Sequence, residues 1–136
     1  MTGPGDTTEI AVVGAHMTGL PLNAQLTALG GRLLREAATA PCYRLFLLPG
    51  PPPARPGLLR VADDAGAAIA AEVWAIPTAA VGTLLAAIPA PLCLGTVRLA
   101  DGTAPKGFLA EAEGTRGAED ISRFGGWRAF LADCAP

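Results

Sequence analysis

The sequence contains one histidine, His16, and it lies where an apolar run breaks into glycines, in the stretch IAVVGAHMTGLPLN. Histidine has an ordinary pKa of about 6.5, so small changes in its surroundings switch its charge near neutrality. Gly14 and Gly19 tolerate backbone dihedrals that allow amide N–H groups to approach an anion. Two interpretations follow: His16 is a working group presented by a tight turn, or it is a hydrogen-bonded structural residue.

Metal and thiol chemistry have little support in the sequence. Cys42, Cys93 and Cys134 are an odd number of widely spaced cysteines, and no second cysteine or histidine lies close enough to complete a metal-ligand pair. We interpret them as reduced, structural thiols. With one histidine and no clustered carboxylates, we expect neither a metal site nor another cofactor.

The composition favours one domain with a small partner or substrate. The 136 residues are 51% hydrophobic and 16% charged, with only 5% aromatic residues, so Leu, Val, Ile and Ala must build most of the core. Ten basic and twelve acidic residues give a net charge of -2. They form no long runs, which argues against binding to nucleic acid or to an anionic membrane.

The apolar segments are too short for a membrane span, because prolines and glycines interrupt them well before the roughly 20 clean residues that a span needs. Residues 1–8, MTGPGDTT, lack the basic start and apolar segment of a secretory signal. We therefore expect a cytoplasmic protein with a flexible N-terminus over residues 1–8 and a single domain over residues 9–136.

The first half of the sequence predicts short elements separated by glycine and proline. EIAVVGA indicates a buried strand, and leucines at helical spacing after Pro21 indicate a helical turn that ends at Gly30 and Gly31. RLLREAATAP suits either a continued helix or, as the double glycine favours, an extended segment. YRLFLLPG is predicted as a strand, and Pro49–Gly57 as a loop, because each proline fixes φ and removes a donor.

The second half predicts two hairpins and two helices. The first hairpin turns at Asp63, Asp64 and Gly66, with Glu72 and Trp74 on the face opposite Ile69, Ala71, Val73 and Ala75. TAAVGTLLAAIP is an amphipathic helix with Thr78 as N-cap and Val81, Leu84, Leu85 and Ile88 as its apolar residues. The second hairpin turns at Asp101 and Gly102, and a short helix starts near Gly126, with Trp127, Phe130 and Leu131 packing inward.

Several short strands, two hairpins and three modest helices predict an α+β fold. We expect its sheet to curl into a small mixed, largely antiparallel β-barrel with a few peripheral helices.

Five stretches resemble the C-terminal domain of allophanate hydrolase. They are residues 12–23, 39–50, 70–77, 88–113 and 118–132, the last of which contains FGGWRA. More distantly, the layout is similar to the gamma-glutamylcyclotransferase fold, whose first strand opens into a substrate-binding glycine loop. The acidic residue of the cyclotransferases has no counterpart in LLAAIPAP, residues 84–91, so the resemblance does not extend to their activity.

The resemblance to allophanate hydrolase implies a reaction. In that family an amidase domain with a Ser-Ser-Lys centre deaminates allophanate, and the C-terminal domain decarboxylates the resulting N-carboxycarbamate to ammonia and carbon dioxide. The amidase signature is absent from this sequence, so an amidase domain or subunit is the expected partner. The alternative is a non-catalytic module that binds small carboxylates, forms a homodimer or pairs with an amidase.

The resemblance also implies roles for individual residues around a small dianionic substrate. His16 is the expected catalytic acid/base, and the backbone from Gly14 through Ala15 to Gly19 is an expected anion binder. Arg44 and Lys106 are candidate carboxylate clamps, and the alternative for each is a solvated surface charge.

Three further residues of the expected site keep two interpretations each. Asn23 could bind a substrate carbonyl or cap the adjacent helix. Tyr43 could orient His16 or the substrate, or be a strand aromatic. Glu72 could pair with His16 or with an arginine. Asp120 and Arg128 are expected to fasten the C-terminal segment.

Overall fold

The structure is a computed structural model that describes residues 6–134. The strands are β1 Thr7–Val12, β2 Arg32–Ala38, β3 Tyr43–Leu47, β4 Pro56–Arg60, β5 Ala70–Pro77, β6 Leu92–Thr96, β7 Lys106–Ala110 and β8 Glu119–Asp120. The helices are α1 Asn23–Thr27, α2 Val81–Ala86 and α3 Trp127–Cys134. The fold is therefore α+β, as predicted.

The strands form two sheets. The larger has the order β2-β5-β1-β7-β6 and the smaller β4-β3-β8. The β1–β7 pair is parallel and the other pairs are antiparallel. The β6–β7 hairpin and the extended segment of β2 confirm two predictions from sequence. Helix α3 also begins where the sequence predicted it, one residue after Gly126.

The central strand β1 is covered on both faces. Ile10 and Val12 belong to one hydrophobic cluster, with Trp74 and Phe108, whereas the alternate residue Ala11 belongs to a second cluster around Tyr43. Neighbouring side chains of a strand point to opposite faces, so an apolar run without alternation is what such a position requires. The chain that leaves the end of β1 therefore starts from a fixed point inside the protein.

The described residues do not form a closed barrel. The nearest approach to closure lies where the β6–β7 connection meets the end of β2. There the Ala40 N–H donates to the Arg98 carbonyl and the Ala100 N–H to the Ala38 carbonyl, both at 2.9 Å. An isolated bridge between Thr39 and Leu99 lies between these bonds. The two edges of the larger sheet thus meet at this corner without a continuous ladder.

The hairpin predicted around Asp63, Asp64 and Gly66 is wrong. The turn exists, but β4 pairs with β3 in the small sheet, whereas β5 lies between β1 and β2 in the large one. The reason is burial: every residue of β5 from 71 to 76 is buried, so this strand needs neighbours on both edges and cover on both faces. The turn residues at 63–66 do not indicate which strands lie on the two edges of β5.

Other predicted boundaries also change. Strand β4 already begins at Pro56, inside the predicted loop Pro49–Gly57, at the strand position where proline is tolerated. Thr78 does not cap α2: its hydroxyl lies 2.9 Å from that of Thr8, and a 3₁₀ turn precedes the helix. Leu85 points outward and is 53% exposed, whereas Leu84 is buried.

The predicted N-terminal tail lies only partly within the described residues. Residues 1–5 fall outside them, but Thr7 and Thr8 belong to β1, where they pair with Pro77 and Ile76. Strand pairing therefore begins before residue 9.

The buried hydroxyl of Thr39 supplies a test of this corner. Its oxygen accepts a bond from the Ile69 N–H at 2.9 Å and donates to the Ala40 carbonyl. We expect Thr39→Val to lower the free energy of unfolding by about 1–3 kcal/mol, because the buried N–H loses its acceptor. Urea denaturation measures the change, and Thr83→Val on the exposed side of α2 is the matched control. Equal stability of the two variants would show that the Thr39 hydroxyl does not stabilise this corner.

Candidate functional site

His16 lies on a loop that follows β1 and folds back into the protein. Met17 N–H donates to the Gly14 carbonyl at 3.0 Å, and Leu22 N–H to the Ala15 carbonyl at 2.9 Å, so successive turns close the loop. His16 is only 8% exposed. Gly14 is needed for close packing, because a Cβ atom there would lie 2.5 Å from Cδ of Pro56.

The imidazole of His16 is held on two sides. Its Nε2 atom lies 2.8 Å from Oε1 of Gln25, and its ring stacks on Phe108 with centroids 4.5 Å apart. Because Oε1 accepts, Nε2 carries the hydrogen and Nδ1 is left as the acceptor. Burial lowers the pKa of His16, the Gln25 bond raises it, and the positive charge of Arg55 lowers it, with a net decrease. The ring is therefore neutral at pH 7.

Asn23 secures the His16 loop from α1. Its side-chain Nδ2 donates to the main-chain carbonyl of His16 at 2.9 Å. No side-chain bond caps α1, whose N-cap residue is Leu22. Asn23 therefore holds the main chain of the His16 loop in place, which neither interpretation from sequence had predicted.

The carboxylate of Glu72 anchors the same loop from β5. It is 3% exposed and accepts bonds from the Thr18 N–H at 2.8 Å, the Thr18 hydroxyl at 3.0 Å and the Trp74 indole at 3.1 Å. Arg128 of α3 lies 3.3 Å from its other oxygen and also donates to the Thr18 carbonyl. Of the two interpretations of Glu72, the structure shows pairing with an arginine and no contact with His16.

These bonds determine the charge of Glu72. Burial alone would raise its pKa, but the bonds from Thr18, Trp74 and Arg128 together outweigh burial and hold the pKa below its ordinary value. The carboxylate is therefore ionised at neutral pH and needs all its donors. Arg128 fastens α3 to the loop in this way, as expected from sequence.

Arg55 is the charged residue that the sequence analysis missed. Together with His16 it lines a cavity of about 20 Å³, which we call the His16 cavity, and Gly14 and Ala15 form part of the same wall. Within the described chain, Arg55 Nε is the buried side-chain nitrogen that has no hydrogen-bond partner. The available signal was that Arg55 is the only charged residue between Leu45 and Leu59.

Two more cavities meet at Arg55 and Leu92. One, of about 10 Å³, extends from His16 and Gln25 towards α2. The other, of about 200 Å³, lies between the proline-rich loop and the segment before β6, and we call it the proline cavity. Arg55 therefore borders both the small space beside His16 and a much larger space outside it.

Several predicted site residues lie elsewhere. Tyr43 is fully buried, and its hydroxyl accepts the Arg98 N–H at 2.9 Å. Arg44 pairs with Asp120 at 2.9 Å in the small sheet, and exposed Lys106 donates to the Thr96 hydroxyl at 3.1 Å. None of the three lines the cavities next to His16. The exposed Gly19, whose φ is 78°, is also outside them, so the expected clamps do not converge on His16.

Residues 6–134 contain no group of three or more His, Cys, Asp or Glu side chains placed to hold a metal ion. Cys42, Cys93 and Cys134 are free thiols. No helix within this range is long and apolar enough to cross a membrane.

Comparison with known proteins decides the family. Residues 8–132 match the family model of the allophanate hydrolase C-terminal domain. The chain belongs to this family. It is 39% identical over 131 residues to urea amidolyase of Saccharomyces cerevisiae, a match that covers 94% of this chain and 7% of the yeast protein. This domain thus corresponds to a small part of that relative.

Solved structures agree with this assignment. The allophanate hydrolase of Kluyveromyces lactis, solved as an S177A variant, is 37% identical with a TM-score of 0.90; the match covers 96% of this chain and 22% of that one. A uropathogenic Escherichia coli-specific protein is also 37% identical, with a TM-score of 0.86, over 93% of this chain and 97% of that one. The family resemblance seen in the sequence is confirmed.

A more distant structure informs the fold alone. An AIG2-like protein from Mus musculus has a TM-score of 0.59 at 14% identity, over 78% of this domain and 77% of that chain. The gamma-glutamylcyclotransferase-like neighbourhood expected for the fold is thereby supported, without the closed barrel.

The Glu72 anchor makes a prediction about acid stability. A carboxyl whose pKa is lowered in the folded state stabilises the protein above its unfolded pKa of about 4.3, and this contribution is lost as the pH falls through the folded value. We expect Glu72→Gln to lower the free energy of unfolding at pH 7 by about 2 kcal/mol, because Arg128 loses its counter-charge. The difference from wild type should shrink as the pH falls below 4.

Urea denaturation at several pH values provides the measurement. Glu36→Gln is the control, because exposed Glu36 is the cross-strand partner of Glu72 in the β2–β5 ladder. A Glu72→Gln variant with the stability and pH profile of the control would refute the anchor.

Proposed function

We propose that this domain carries out the second step of allophanate degradation, the decarboxylation of N-carboxycarbamate, with His16 as proton donor. The observation that carries the proposal is that His16 and Arg55 line one cavity in a member of this family. The partner in this proposal is an amidase domain or subunit that supplies the intermediate, and the setting is the cytoplasm.

The chemistry needs a proton at the substrate nitrogen. N-carboxycarbamate carries two carboxylates on one N–H group; when the nitrogen takes a proton, a C–N bond breaks, its electron pair stays on nitrogen and carbon dioxide leaves. The carbamate that remains repeats the step to give ammonia and a second carbon dioxide. A positioned imidazolium is suited to such a transfer.

The resting histidine is neutral, so substrate binding must charge it. An anion beside His16 favours the imidazolium, and it also offsets the positive charge of Arg55 that disfavours it. Arg55, with its unpartnered Nε, is the cation that we assign to the substrate carboxylate in place of Arg44 and Lys106. Proton uptake is thereby coupled to the arrival of the dianion.

A second candidate is a non-catalytic module that binds small carboxylates, forms a homodimer or pairs with an amidase. Its support is that the related urea amidolyases carry this domain as 7% of a much longer chain. It differs from the first candidate in predicting no change in the rate of carbon dioxide release.

The assay for decarboxylation mixes allophanate, an isolated amidase domain and this protein, and follows ammonia and carbon dioxide together. We expect the wild type to shorten the delay between the first ammonia and carbon dioxide. In His16→Ala and Arg55→Ala the acceleration of carbon dioxide release should be smaller by about a hundredfold or more, because the proton donor or the anion-binding cation is gone.

Arg44→Ala and Lys106→Ala are the matched controls for lost positive charge, and they should retain the acceleration. An equal delay with and without the wild-type protein would exclude decarboxylation and favour the non-catalytic module.

Titration of His16 tests the coupling. Since this is the only histidine in the sequence, its ring signals in a proton NMR spectrum need no assignment by mutation. We expect its pKa to lie below 6.5 in the free protein, because burial disfavours the charged ring, and to rise when a small dicarboxylate saturates the site. A pKa that falls or stays constant on saturation would contradict the proposed role.

A further inference from the structure

The proline cavity differs from the His16 cavity in its walls. One wall is the loop with Pro49, Pro51 and Pro53, and the other is the segment with Pro89 and Pro91. Proline has no N–H group and a fixed φ, so these walls are rigid, aliphatic and poor in donors. Arg55 is the charged residue among the residues that line this cavity.

The volumes of the His16 cavity and the proline cavity indicate where the substrate can be held. A cavity must offer roughly 10–15 Å³ to hold one water molecule, so the His16 cavity, at about 20 Å³, has room for about one group of that size. Two carboxylates joined by an N–H group are several times larger than that. The proline cavity, at about 200 Å³, is ten times larger and shares Arg55 and Leu92 with the His16 cavity.

We propose that the proline cavity is the chamber that holds the body of a small dicarboxylate-like anion, while one end of the anion passes Arg55 and reaches His16. This inference rests on the proposed function, since it names where the substrate of that reaction is held. Arg55 lies at the junction, where its guanidinium can pair with a carboxylate from either side.

The chemistry of the walls specifies the orientation of the anion. A carboxylate pressed against proline rings would lose its hydration without gaining donors, which is costly. The charged ends therefore lie at Arg55 and at the solvent-facing rim, where Pro49, Gly50 and Pro51 are exposed. The N–H centre of the anion lies beside its inner carboxylate at the Arg55 junction, where the proton of His16 can reach the nitrogen. Rigid walls also reduce the entropy lost on binding.

Filling the chamber tests this inference. Ala54 lines the proline cavity and neither of the cavities that include His16. We expect Ala54→Leu to weaken the binding of malonate, in which a CH₂ group replaces the N–H of the substrate, by about tenfold or more, because the larger side chain occupies the chamber. Isothermal titration calorimetry gives the affinity, and Ala104→Leu in the β6–β7 connection is the matched control.

Ala90→Leu on the opposite wall is a second variant that decides the question if Ala54→Leu fails to fold. The chamber would be refuted if the filled variant bound malonate as tightly as wild type and Ala104→Leu do. It would also be refuted if the wild-type protein bound no malonate.

The measurement is independent of turnover. Selective loss of malonate binding in Ala54→Leu supports the chamber even if His16→Ala leaves carbon dioxide release unchanged, in which case only the proposed reaction fails. Conversely, unchanged malonate binding in Ala54→Leu refutes the chamber while the decarboxylation assay still decides the reaction.

Discussion

The buried carboxylate of Glu72 is the constraint on which the site depends. An ionised carboxylate inside a protein is costly unless donors surround it, and here the donors come from the His16 loop, from β5 and from α3. Thr18 supplies two of them, so this carboxylate fixes the path of the His16 loop over β5. Arg128 ties the C-terminal helix to the same point, so one charge coordinates three parts of the fold.

Given that path, the environment of His16 follows from its neighbours. Phe108 of β7 covers one face of the ring, Gln25 of α1 holds Nε2, and Asn23 holds the main-chain carbonyl. Burial of the ring keeps it neutral and outweighs the Gln25 bond, which favours the charged form, and the nearby charge of Arg55 acts in the same direction as burial. A site with this balance responds to an anion, because an anion reverses the Arg55 effect and favours the charged ring.

Local signals in the sequence were sufficient for elements whose partners are close in the chain. The β6–β7 hairpin, the helical turn before Gly30 and the start of α3 were predicted correctly, since turn residues and helical spacing act within a few residues. Strand β5 was paired wrongly, because its place between β1 and β2 depends on burial from distant segments. Its apolar, nearly unbroken run from Ala71 to Ile76 was the sign of a central strand.

The site itself was only partly predictable. His16 stood out as the single histidine beside a glycine turn, but the cations chosen with it were those on strands, Arg44 and Lys106. The structure commits Arg44 to an ion pair with Asp120 and leaves Lys106 on the surface. Arg55 was overlooked because its stretch of prolines was interpreted as a connection. The close packing of Gly14 against Pro56 places that stretch beside the loop, and this contact is not visible in the sequence.

The most direct measurement is a crystal structure of this domain grown with malonate. We expect one carboxylate within hydrogen-bond distance of Arg55, the CH₂ group at the Arg55 junction facing His16, and the second carboxylate towards the rim of the proline cavity. Malonate bound at Arg44 and Arg123, or beside Lys106, with the space next to Arg55 unchanged, would contradict this expectation.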